Sequence, residues 1–283
     1  MTFRQAQTLR DEAAARGLRI ASAPCNLLGE AAQTLWRAVR ERRIGEVRLV
    51  YAELDDGMLH RVDRTNWRSR SGKPWPASGE FSIGCTYERA GYVVGILAAM
   101  FGPVEEVTTF SALCCPDKGV APQGERLAPD FSVGCLRFGD GLVARLTNSI
   151  VAPLDRRIRL FGDEGALTLS DPWNFASSVS WSAHPQGRVS RHLERRLGVR
   201  VQRKIPLVRP CPPRRKGAPT MDYMRGVREL ADAIVERRAS RLDGDFAVHV
   251  TEVTEILQHP ERFERPARVE SRFSPIAPMT WAL

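Results

Sequence analysis

Six short segments, at 47–54, 104–112, 131–138, 142–151, 158–161 and 166–170, are rich in strand-forming residues and separated by turns. This alternation limits the chain to folds built around a sheet. Gly139-Asp140-Gly141 joins the third and fourth segments as a hairpin, and Gly162-Asp163-Glu164-Gly165 joins the last two. Connections this short link antiparallel neighbours, so a mostly antiparallel sheet is expected. Helical spacing predicts three helices beside it, at about 86–100, 222–238 and 245–258, the last begun by an Asp N-cap. Residues 45–283 therefore read as an α+β domain with helices on one face of the sheet.

The front of the chain has a different texture. Phe3, Ala6, Leu9 and Ala13 share one helical face, with Gly17 at its end, and a short strand is expected at 18–23. Asn26 is placed to cap a second helix with an apolar stripe of Leu28, Ala31, Leu35 and Val39. Gln33, Arg37, Glu41 and Arg42 should then face water. Helix, strand and helix in that order belong to the tail of a parallel α/β sheet. A lone strand leaves N–H and C=O groups unpaired along both edges. Either a neighbouring chain completes that sheet, or these residues are the back portion of a longer polypeptide.

Composition narrows the class further. With 283 residues, 43% apolar and 27% charged, the chain is globular rather than disordered or collagen-like. No run approaches a membrane span, and the charged opening is unlike a secretory signal, so a cytoplasmic location is expected. The cysteines at 25, 85, 114, 115, 135 and 211 form no CxxC pair and share no spacing with the histidines. They read as reduced, buried thiols, and no metal site is expected. Residues 188–216 hold eleven Lys and Arg against a single Glu, a basic loop that suits water or a phosphate group. Nucleic acid ranks last among its partners, because the segment has no interleaved aromatics and matches no DNA-binding motif.

Four stretches together resemble one family. EAAQTLWRAVRERRIGEVRLVYAEL at 30–54 is similar to the junction between the two domains of the glucose-fructose oxidoreductase and inositol dehydrogenase (Gfo/Idh/MocA) family. GCTYERAGYVVGILAAMFGPVEEVTTF at 84–110 looks like the family's helix over the substrate site and the sheet strand that follows it. RLFGDEGALTLSD at 159–171 and DFAVHVTEVTEILQ at 245–258 resemble later elements. The resemblance implies an NAD(P)-dependent oxidoreductase of sugars, cyclitols or nucleotide sugars. It also implies that residues 1–44 are the C-terminal remnant of a Rossmann domain, ahead of a substrate-binding and oligomerisation domain at 45–283. The family's glycine-rich pyrophosphate turn and its Glu-Lys-Pro element are not in this sequence. The expected shortfall is roughly 100 residues, at about 30 or more per βαβ unit.

The same resemblance singles out site residues. The family's acid and histidine, four residues apart on one helical face, correspond to Glu88 and Tyr92. Proton exchange with a substrate hydroxyl would fall to them, although tyrosine titrates near 10 and is a poorer base than histidine. Arg89 and the loop residues His60, Trp67 and Lys73 are candidate substrate contacts, suited to pairing with hydroxyl or phosphate groups and stacking on sugar rings. Lys73-Pro74 repeats the family dipeptide in a loop, where a solvated lysine is the competing reading. Asn26 resembles an asparagine found beside the nicotinamide, with the helix cap as its alternative. His249 reads as a packing residue. NAD or NADP is the implied cofactor, and a sugar or nucleotide sugar the implied substrate. A homo-oligomer through the sheet face and a Rossmann-containing partner chain are the implied protein partners. The alternative is a non-catalytic oligomerisation or sugar-binding subunit that partners a complete dehydrogenase.

Overall fold

The computed structural model describes all residues except 65, 70, 121–126, 185–186, 188–191, 193–195, 197–201 and 212–219, so most of the basic segment 188–216 lies outside the described residues. The strands are β1 (Val47–Asp55), β2 (Val104–Ala112), β3 (Phe131–Phe138), β4 (Val143–Ser149), β5 (Asp155–Gly162), β6 (Gly165–Leu169), β7 (Val179–Ala183), β8 (Arg203–Ile205) and β9 (Ala267–Arg268). They form one sheet in the order β8-β7-β6-β5-β1-β4-β3-β2-β9. Every pairing is antiparallel except β1 with β4. The helices are α1 (Phe3–Ala15), α2 (Glu30–Arg40), α3 (Ala77–Ile83), α4 (Cys85–Phe101), α5 (Met224–Val235) and α6 (Gly244–Gln258).

Alternation along the strands gives the sheet two unlike faces. Val50, Ala52 and Leu54 of β1, Ala144 and Leu146 of β4, and Ile158 and Leu160 of β5 are fully buried on one face. There α4 packs on β4, β1 and β3, α6 on β2 and β3, and α2 on β6 and β7. Each large side chain sealed in this core, such as Leu35, Leu97 or Leu136, contributes about 1.5–3 kcal/mol relative to exposure. The opposite face carries Tyr51, Glu53, Arg145 and Arg159, with the Arg145 guanidinium 4.3 Å from the Tyr51 ring centre and paired with Glu53. Gly162, at the end of β5, lets the chain pass the carbonyl of Ile44: a Cβ there would stand 2.2 Å from that oxygen.

Several expectations are corrected. Residues 18–23 are not a strand; Ala21 makes an isolated bridge to Asp243, and the Ser22 N–H donates to the Leu242 carbonyl. The unpaired strand edges inferred for the front of the chain are therefore not there. α1 packs on α6, and Leu27, Leu28, Ala31 and Leu35 join the same apolar core as the sheet. Asn26 does not cap α2, whose N-cap is Gly29; it begins a short 3-10 turn, Asn26–Leu28, and its side chain is used elsewhere. Gln33 does not face water: it is fully buried, donating to the Leu27 carbonyl and accepting from the Met279 N–H. The Asp that caps α6 is Asp243, whose carboxylate accepts from the Phe246 N–H. Cys25 and Cys85 are buried thiols, whereas Cys114 and Cys135 are exposed and Cys115 and Cys211 half-buried, all six being free. Strands β7 to β9 and helix α3, inside the stretch read as a loop, were not anticipated. Among the described residues, no helix is long and apolar enough to cross a membrane.

Candidate active site

The site is built at the first turn of α4. The preceding Gly84 has φ +98°, a backbone conformation that disfavours side chains, and a Cβ there would stand 2.1 Å from Nε2 of Gln258. This glycine lets α3 end and α4 begin within one residue. Thr86 then ties the helix to the sheet through its hydroxyl, 2.7 Å from that of Ser132, which also accepts from the Asn148 amide.

Glu88 and Arg89 follow at the end of that turn, and Tyr92 stands one turn further on. Arg89 is only 4% exposed and serves as the hub of an acidic cluster. Its Nε donates to Asp56, just past the end of β1 (3.0 Å), its Nη2 to Glu80 of α3 (2.9 Å), and its Nη1 to Glu88. Burial opposes its charge, but Glu88, Asp56 and Glu80 more than restore it, so the guanidinium stays cationic. Glu88 has the contrary environment. Burial, with a hydrogen bond from the Glu80 side and its charge, outweighs the nearby guanidinium, and its carboxyl is pushed up to about 8. Burial also raises the Tyr92 phenol, with Tyr223 and Glu88 adding to the effect, which favours its protonated, hydrogen-bond-donating form.

Glu88 and Tyr92 border two cavities. One, of about 260 Å³, is also lined by Asp56, Arg89, Trp173, Thr220, Met221 and Tyr223. The other, of about 640 Å³, lies between α4 and α6 beside Tyr87, Thr251, Thr254 and His259. The Tyr92 ring lies 4.9 Å from that of Trp173, whose other neighbour is the Arg156 guanidinium at 4.6 Å. Arg156 in turn stands 3.7 Å from both Asp56 and Asp171. Asn26, 1% exposed, lies behind this wall: its amide donates to the carbonyls of Tyr92 (2.8 Å) and Pro172 (3.1 Å), and its Oδ1 has no partner among the described residues.

The structure thus brings Glu88, Arg89, Tyr92 and Asn26 together. His60, Trp67 and Lys73 line neither cavity. Trp67 packs edge-on against Trp75 at 4.9 Å, and Trp75 against Phe81. Lys73 is exposed, and Nδ1 of His60 is buried without a partner among the described residues. Asp56, Glu80, Arg156 and Trp173 were not picked out from sequence. Only Asp56 carried a usable signal there, as an acid immediately after a central strand.

A dinucleotide needs a strand, a glycine turn and a helix N-terminus aimed at its pyrophosphate. Among the described residues the single parallel pair, β1 with β4, is not joined by such a unit. The described residues supply no dinucleotide cradle.

A mostly antiparallel sheet with helices on one face, and an acid and a tyrosine one turn apart at a pocket, defines an α+β domain with a candidate site at the start of α4. Residues 32–168 match the model of the GFO/IDH/MocA C-terminal domain, and the chain carries that domain of the Gfo/Idh/MocA family. No curated protein matches the sequence. Among solved structures, an NAD binding oxidoreductase from Klebsiella pneumoniae is 15% identical with a TM-score of 0.67, the match covering 95% of this chain and 71% of that one. The WlbA dehydrogenase from Bordetella pertussis, in complex with NADH and UDP-GlcNAcA, is 14% identical with a TM-score of 0.58, covering 92% and 67%. UDP-N-acetylglucosamine 3-dehydrogenase GnnA from Acidithiobacillus ferrooxidans is 15% identical with a TM-score of 0.56, covering 91% and 66%. At these identities the likeness is one of fold, and the chain spans about two thirds of each relative's length.

Proposed function

We propose that this chain is the substrate-binding part of an NAD(P)-dependent oxidoreductase acting on a sugar or nucleotide sugar. The observation that carries this reading is the Glu88 carboxyl, held by its surroundings near the neutral range at the mouth of a polar pocket, with the Tyr92 phenol one turn away. A general acid or base works best when it titrates near the working pH. In this reading Glu88 exchanges the proton of the reacting substrate oxygen, and Tyr92 donates a hydrogen bond that orients it. Arg89 stays buried and fixes Glu88. Trp173, clamped between Tyr92 and Arg156, forms an apolar wall for one sugar ring. The nicotinamide, which exchanges a hydride with the substrate carbon when bound, belongs to a domain or partner chain other than the residues described. The open face of the sheet, with its Tyr51–Arg145–Glu53 ladder, is the surface for a homo-oligomer.

Calorimetric titration with UDP-N-acetylglucosamine and with simple hexoses tests the binding half. Wild type should bind one of these classes, and Trp173→Ala should weaken that binding at least tenfold; indifference to that change would refute the pocket assignment. A second reading, a non-catalytic sugar-binding subunit, is favoured by the lack of a dinucleotide cradle among the described residues. With a complete dehydrogenase supplied in trans, Glu88→Gln should cut turnover by roughly 10²–10⁴ if Glu88 moves the proton, and leave it unchanged in the second reading.

A further inference from the structure

The carboxylates behind Glu88 are more numerous than a simple ion pair requires. One guanidinium, that of Arg89, faces three of them: Asp56, Glu80 and Glu88. Asp56 and Glu80 are 16% and 11% exposed, whereas Glu88 is 41% exposed and opens toward the pocket. From β5, Arg156 approaches Asp56 at 3.7 Å and divides its charge with Asp171. From α4 and the segment before α5, the facing groups are the phenols of Tyr92 and Tyr223, which bring no positive charge. Among the described residues, no cation other than Arg89 forms an ion pair with Glu80 or Glu88. Two full negative charges side by side in this half-buried place are costly, and a single shared proton removes one of them.

Glu80 and Glu88 bind the two terminal nitrogens of one guanidinium, Nη2 and Nη1 of Arg89, which sets their carboxyls side by side, and two carboxyls share a hydrogen bond only when one holds a proton. Because Glu80 is the more buried and is pinned by Nη2 of Arg89, it is the fixed acceptor; Glu88 is the outer member and faces the cavity. We propose that Glu80 is a positioning residue that holds Glu88 in its carboxylic acid form, the Glu88 O–H donating to Glu80 in the resting site and turning to the substrate oxygen when that oxygen enters the cavity. The site in its resting form is then set for a keto sugar, whose carbonyl oxygen accepts a hydrogen bond, in preference to the corresponding alcohol. The importance of this arrangement for turnover rests on the function proposed above; the shared proton itself does not.

The test is carboxyl ¹³C NMR of the full chain labelled at the glutamate side chain, titrated from pH 5 to 10, with the Glu88 signal assigned by its loss in Glu88→Gln. In the wild type the Glu88 signal should titrate well above the other carboxylates. In Glu80→Gln, which keeps the size of the side chain, it should move down by at least one pH unit; Glu80→Asp should restore part of the shift. A wild-type Glu88 signal that titrates at the ordinary carboxylate position would overturn the proposal without any variant. So would a Glu80→Gln protein, folded by circular dichroism, in which the signal does not move. If Glu88 behaves as expected but Glu88→Gln leaves sugar binding and turnover unchanged, the pairing stands and the functional reading falls.

Discussion

Glu30 gives the most quantitative test of how the pocket is braced. It is the first residue of α2 and fully buried. One carboxylate oxygen accepts from Nε and Nη2 of Arg209 (3.0 and 2.9 Å), and the other from Nη1 of Arg225 (2.8 Å), which also donates to the Leu28 carbonyl. Burial alone would raise this carboxyl. The hydrogen bonds and charges of Arg225 and Arg209 outweigh it and hold the group below its ordinary value of 4.5. A carboxyl depressed in the fold stabilises above the unfolded value, and that contribution fades as pH falls through the lower folded value. Glu30→Gln leaves two guanidiniums facing an amide. Losing one partner of a buried pair costs about 3–5 kcal/mol, and the lower end applies because Arg209 is 37% exposed and screened by water. About 3 kcal/mol corresponds to roughly 6 °C in Tm for a chain of this size. Urea denaturation at pH 7 and pH 3.5 should show that gap at the higher pH and a smaller one at the lower. A loss under about 1 kcal/mol at pH 7, or an equal loss at both, would refute the reasoning. The Arg225 guanidinium lies 4.6 Å from the Phe175 ring centre, so the near-ultraviolet dichroism of the buried aromatics should also change.

Two further outcomes follow from buried groups remote from the chemistry. His249 is fully buried, accepting from the Val104 N–H at Nε2 and meeting the Ser271 hydroxyl at Nδ1; burial lowers it to about 4, so stability should fall by about 3 kcal/mol as pH drops from 6.5 to 4. Denaturation of His249→Gln across that window should lack this slope, and an unchanged slope would count against the assignment. Gly162→Ala should cost about 3 kcal/mol through its clash with the Ile44 carbonyl, whereas Gly141→Ala, at φ +79° in open space, should cost about 1 kcal/mol; equal losses in urea titrations would contradict the close approach.

The strands from β1 to β6 and helix α4 were legible because each writes its own periodicity and ends in its own turn. Glu88 and Tyr92 were legible because their spacing is local to one helix. The acidic cluster was not. Asp56, Glu80 and Glu88 come from a strand end and two helices, and nothing in the chain order announces that the Arg89 guanidinium binds all three carboxylates. Polar residues misled in both directions: Gln33 looked solvated, but two backbone partners make its burial affordable, and Asn26 looked like a cap, but its amide is committed to Tyr92 and Pro172. The apparent strand at 18–23 failed for a related reason, since apolar composition does not supply a neighbour to pair with. β7, β8 and β9 exist because the sheet edge offers them partners, a cause that lies in the fold rather than in their own short sequences.

β4 and β5 follow one another along the chain, yet β1 lies between them and bonds to both. Among the described residues, the β2–β3–β4 ribbon and the β5–β6–β7–β8 ribbon share no ladder with each other, so β1 is the keystone that makes them a single sheet. The residue just beyond this keystone is Asp56, which grips Arg89. Slippage of that one strand would part the two ribbons and unlatch the Arg89 cluster in the same motion, so the integrity of the sheet and the geometry of the pocket share a single point of failure.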